Sequence, residues 1–205
     1  MIDRGDWIFR DTGVALFVSF RMEYLQVREE NQFLKMLVRV MEELDELTPR
    51  QAAWLEQLRG EPSENVNFGG LSQLEVRGQC ELIRDAAYHR LPQHLYGVVC
   101  ARFGLSGRKA YGIENVASAL RWSAPIRDVR VLRDLVVRHY LETSERDGFS
   151  LRAIGKRYGI PKSTLGDGAL WLAAKTRSLE LEAIRRLDVL FVPHGVSAEW
   201  ERAEA

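Results

Sequence analysis

The residues best equipped for chemistry are cations and short polar groups gathered in one stretch, "SLRAIGKRYGIPKSTLGDGALWLAAKTR", residues 150–177. Their chemistry is hydrogen bonding and charge neutralisation. Arg152, Lys156 and Arg157, with Lys175 and Arg177 further on, suit phosphate oxygens. Lys162, Ser163 and Asp167 stand together near the start of a second helical pattern. Of these, Lys162 can reach a guanine edge or a phosphate, and Asp167 can accept from a cytosine amino group. The expected partner is double-stranded DNA. The competing reading is a helical corner with a solvated basic face.

Covalent and metal chemistry have little to stand on. His89, His94, His139 and His194 are scattered and lack metal-ligand spacing. No phosphate-cradling glycine loop, GxSxG or HExxH occurs. Cys80 and Cys100 form no CxxC and fall at apolar positions of helical patterns, where a buried reduced thiol is the expectation. The reading is of a non-enzyme without metal, catalytic residue or cofactor.

A formal net charge of zero, 29 basic against 29 acidic residues, argues at first against a polyanionic partner. The sum conceals a division. Residues 1–75 hold 8 basic and 14 acidic residues, whereas residues 100–177 hold 15 and 7. The basic half is the half with the polar stretch. Arginine supplies 24 of the basic residues, and its planar fork matches phosphates and base edges; a GC-rich genome enriches arginine too.

The elements that must position these residues are helical. At 205 residues the chain suffices for one domain or two small ones, with a hydrophobic fraction of 46%. No apolar run approaches a membrane span, and "MIDRGDWIF" is not a secretory signal, so a reducing cytoplasm is expected. Residues 14–47 read as helix, with Leu34, Leu37, Val38, Met41 and Leu44 at three- and four-residue steps. "GVALFVSF" is the one stretch that reads equally as a strand. Thr48 and Pro49 open a short helix that Gly60 ends. The organisation expected is an acidic helical unit over 1–60, a linker over 61–70, a basic helical domain over 71–192 and a tail over 193–205.

Within the basic domain, Ser72 and Glu75 form a capping box. Val76, Cys80, Ile83 and Ala87 make the buried stripe of that helix, and Leu91-Pro92 ends it. Leu95, Val98, Val99 and Phe103 face inward from the next. Further helices are expected over 114–122, 126–143, 150–158, 162–177 and 178–191. Ser150 caps the helix that carries Ile154, Gly155 leaves room for a crossing helix, and Gly159 takes the left-handed conformation of a turn. Ile160 plugs the corner, Pro161 fixes the next helix start, and Leu165 continues the core face. Leu132, Leu135, Val136 and Tyr140 line a scaffold helix ahead of the unit. The fold class is therefore mainly α, a helical bundle containing a helix-turn-helix. Gly166 and Gly168 depart from this pattern, because glycine weakens a helix interior and an apolar branched residue is expected at 168. A bend, or ordering on DNA, would accommodate them. "LYGVVCARFGL" (95–105) resembles "LRDLVVRHYLE" (132–142), and a proline follows each at Pro125 and Pro161. Two units in tandem, or two ordinary amphipathic helices, both fit.

"VLRDLVVRHYLE…SLRAIGKRYGIPKSTLGDGALWLAAKTRSLEL" resembles region four of sigma factors over about a third of the chain. A full sigma factor is excluded by length and by the lack of an aromatic-rich promoter-melting region. With "DWIFRDTGVALFVSFRMEYL" and "LSQLEVRGQCELIRDAAYHRLPQHLYGVVCARFG", the chain is similar to late-gene antitermination (Q-type) proteins of phages and prophages. The Cys-rich zinc element of the best-known branch is missing, so the resemblance is to the zinc-free branch. It implies binding near a late promoter, loading onto paused RNA polymerase and suppression of termination. A helix-turn-helix repressor or activator and a small terminase-like packaging subunit are the alternatives. Solution mass separates them: monomer for the first, dimer for the second, a ring for the third.

Overall fold

Helix formation follows the apolar periodicity along the chain. The computed structural model describes residues 7–24 and 73–198, and among them it contains seven α-helices, two 3₁₀ turns and no strand. The protein is mainly α. "GVALFVSF" lies in helix α1, Thr12–Met22, whose amino end is capped by the Asp11 carboxylate accepting from the Val14 amide at 2.8 Å. Burial of Ala15, Leu16, Val18, Ser19 and Phe20 removes any alternation that a half-exposed strand would need. The expected acidic unit beyond residue 24, the Thr48 helix, the 61–70 linker and the Ser72 cap lie outside the described residues.

The chain forms two compact units, 1–84 with 188–205, and 85–187. They divide inside helix α2 (Gln73–Arg90) and helix α7 (Lys162–Phe191), not at the expected 71 and 192. Apolar periodicity runs unbroken through both helices, so composition marks neither point. In the first unit Val76, Cys80 and Ile83 of α2 are buried, as their spacing predicts. The Arg84 guanidinium donates to the Ser19 carbonyl. Burial pushes the Cys80 thiol up, against the lowering effect of the Arg84 and Arg77 charges. The expected tail begins with an ordered stretch. The amides of Ile8 and Phe9 donate to the carbonyls of Gly195 and Val196, and the Ala198 amide donates back to Phe9. Thr12 and Ser197 hydroxyls meet at 3.0 Å, and Phe9 is fully buried.

The second unit continues with α3 (Gln93–Phe103), α4 (Ser106–Leu120), α5 (Val129–Tyr140), α6 (Leu151–Tyr158) and most of α7. Its core joins Val98, Val116, Leu132, Leu135, Ile154, Leu165 and Leu172. Helix α4 starts at Ser106, well before the expected 114. The stretch "SGRKAYG" precedes that expected start, yet a Cβ at Gly112 would lie 2.2 Å from the Ala101 nitrogen and 2.6 Å from the Gly97 carbonyl oxygen. Gly112 is thus the point where two helix backbones approach, a role sequence does not distinguish from a turn. Helix α7 is one helix of 30 residues, where two were expected with a break at 177/178. No proline or glycine interrupts it after Gly168, and the apolar stripe continues through Ala183 and Leu187.

The tandem repeat does not match element for element. Helices α3 and α4 are joined by two residues, whereas α5 and α6 are separated by ten that contain both 3₁₀ turns. The eight residues between α4 and α5 include no residue of positive φ, unlike the three between α6 and α7. Among the described residues no helix is long and apolar enough to cross a membrane.

Candidate nucleic-acid interface

Three local choices of sequence build the corner that carries the candidate residues. The Ser150 hydroxyl accepts from the Ala153 amide at 3.1 Å and starts α6. Gly159 ends it at φ 68° and ψ 26°, left-handed as expected. The Ile160 amide returns to the Gly155 carbonyl at 3.2 Å, and the Leu165 amide reaches the Pro161 carbonyl at 3.2 Å as α7 begins. A Cβ at Gly155 would sit 2.9 Å from the Ile160 carbonyl oxygen and 3.4 Å from Leu165 Cδ1, so its size is set by the turn it touches. Ile154 and Leu165 are fully buried beneath the corner.

Gly168 has the same kind of explanation. A Cβ there would lie 2.6 Å from Ile126 Cδ1 and 3.4 Å from Leu135 Cδ1. The branched residue expected at this place is replaced by Ile126 reaching in from the loop between α4 and α5. Helix α7 therefore passes through both glycines as a continuous helix in the protein alone, without ordering by DNA.

Arg152, Lys156, Arg157, Lys162, Ser163, Asp167, Lys175 and Arg177 are all exposed. Helical spacing puts Arg152 and Lys156 on one face of α6. On α7, Ser163, Asp167 and Arg177 share a face, while Lys162 and Lys175 lie about 100° to either side of it. One candidate differs from the rest. Arg157 forms an ion pair with Asp134 of α5, donates to the Gly148 carbonyl at 3.1 Å and lies over the rings of Phe149 and Tyr158. Its hydrogen bond to Asp134 raises its pKa further, so it stays charged. Where sequence suggested a free phosphate ligand, the structure has a tie between α5 and α6.

Two residues escaped the sequence reading. Asp134 is only 4% exposed and accepts from both Arg157 and the Tyr158 hydroxyl. An acid inside the apolar run "VLRDLVV" was its signal. Leu170 is 73% exposed on α7; apolar type alone suggests core, so sequence gave no sign of it.

Behind the corner lies a polar cluster. His139 Nε2 and Thr176 Oγ1 are 2.9 Å apart, and the Tyr140 hydroxyl donates to Glu180 at 3.1 Å. Burial lowers the His139 pKa, helped by the Arg102 and Arg146 charges. Burial raises that of Glu180, against Arg102 and the Tyr140 hydrogen bond. The group ties α5 to α7, with Thr176 and Tyr140 buried and His139 and Glu180 half-buried. Among the described residues no set of three or more His, Cys, Asp or Glu side chains is placed to hold a metal. Compared with models of known families and with curated proteins, the chain matches none.

Proposed function

We propose that this protein is a DNA-binding transcription factor of the antitermination type, acting in the bacterial cytoplasm. The observation that carries the DNA reading is the α6–α7 corner. A left-handed glycine joins two helices over the buried Ile154 and Leu165, and α7 presents polar and basic side chains outward. Such a helix fits the major groove, about 12 Å wide, with flanking cations near the phosphate rims. Arg152, Lys156, Lys162, Lys175 and Arg177 supply those cations, and Ser163 and Asp167 face the bases. The antitermination part rests on the resemblance to Q-type proteins and on the charge division, since the acidic residues of 1–75 suit a basic surface on RNA polymerase better than DNA.

The test is transcription of a template carrying a late promoter region and a distant intrinsic terminator. Read-through rises with added protein and falls back when the promoter-proximal DNA is replaced. If initiation drops while termination is unchanged, the protein is a repressor and the polymerase reading is wrong.

A further inference from the structure

Of the two glycines inside α7, only one is explained by the protein itself. Gly168 is filled by Ile126, but a Cβ at Gly166 would meet nothing within 4 Å. Alanine there would favour the helix and clash with no neighbour. One turn on, Leu170 is 73% exposed in a helix whose opposite side buries Leu165 and Leu172. Ser163, Gly166, Asp167 and Leu170 lie within about 100° of arc and about 10 Å of helix axis. That length matches about three base pairs at 3.4 Å each. Lys162 and Lys175 stand on the two flanks of this face, and Arg177 continues it.

We propose that this face reads the floor of the major groove at a thymine beside a cytosine. Leu170 packs on the thymine methyl group, and Asp167 accepts from the cytosine N4 amino group. Gly166 leaves the helix bare so that backbone and base edges approach closely. The proposal rests on the DNA-binding reading and specifies what that site recognises. It also accounts for an acidic residue in a basic setting, because a carboxylate between phosphates is unfavourable unless a donor meets it.

The experiment selects binding sites for the full-length chain from a randomised DNA duplex library. Affinity is then measured on an enriched duplex and on the same duplex with deoxyuridine in place of thymine. The enriched sites share a cytosine and a thymine within three base pairs. Loss of the methyl group weakens the wild-type protein about fourfold, the value of one buried methyl, and Leu170→Ala does not distinguish the two duplexes. Gly166→Ala raises the melting temperature yet weakens binding to the enriched duplex, a split that a structural role for Gly166 does not produce. Indifference of the wild-type protein to deoxyuridine, or full binding by Gly166→Ala, overturns the proposal. Retention of duplex without enrichment overturns base reading while leaving DNA binding in place. No retention even at low salt removes the DNA-binding reading and this one with it.

Discussion

Gly159 and His139 show how single residues are chosen by different forces. A Cβ at Gly159 would touch no other atom within 4 Å, so space does not require glycine there. The backbone does, because at φ 68° an L side chain collides with its own chain. Gly159→Val therefore lowers stability by well over about 1 kcal/mol, and Gly159→Asn by less, as read from thermal melts. At His139 the force is desolvation. The folded chain resists protonating this imidazole, whereas the unfolded chain takes up the proton near pH 6.5. Below that pH the unfolded state binds more protons, so stability falls as pH drops toward the folded value. Glu180 acts with the opposite sign, since its raised pKa lets the folded state hold a proton that the unfolded carboxyl has released. Comparing wild type with His139→Gln isolates the imidazole. The melting temperature of the wild type drops more between neutral pH and about pH 5.5 than that of the variant.

Helices α5 and α6 are held by more than apolar contact. Asp134 is a buried carboxylate, and removing its cation leaves it, among the described residues, with the Tyr158 hydroxyl. Arg157→Ala consequently lowers the melting temperature and loosens α6 on α5 before any effect on DNA is considered. Arg152→Ala, on an exposed face of the same helix, leaves the melting temperature unchanged. On DNA it reduces the slope of log affinity against log salt by about one phosphate. A pair of variants on one short helix thus separates positioning from contact. Equal melting temperatures for the two would contradict the tie to Asp134.

The whole molecule closes its first unit with residues far apart in sequence. Ile8 and Phe9 pair with Gly195 and Val196, and Thr12 meets Ser197. A chain ended after Val192 loses these backbone bonds and uncovers the fully buried Phe9. The expected cost is about 2–3 kcal/mol, chiefly the burial of one aromatic side chain. Limited proteolysis and a thermal melt would detect it, and an unchanged melt would make residues 193–198 the tail that composition suggested. Charge is divided at this scale too, with the acidic excess before residue 76 and the basic excess over 100–177.

Sequence by itself determined what depends on local chemistry. The helical class follows from period, the α6 cap from Ser150, the end of α6 from Gly159, and the core residues Ile154, Leu165, Leu132 and Leu135 from spacing. Each of these is decided by a residue's own backbone preference or by its neighbours three and four places away. What only the tertiary structure decided depends on atoms distant in the chain. Gly168 reads as a departure from the helical pattern until Ile126 is seen occupying its space. Arg157 reads as a free cation until Asp134, 23 residues earlier, claims it. Leu170 reads as core until the fold leaves it exposed. Glycine, arginine and leucine each fit two opposite environments equally well, and a linear pattern carries no term for the neighbour that chooses between them.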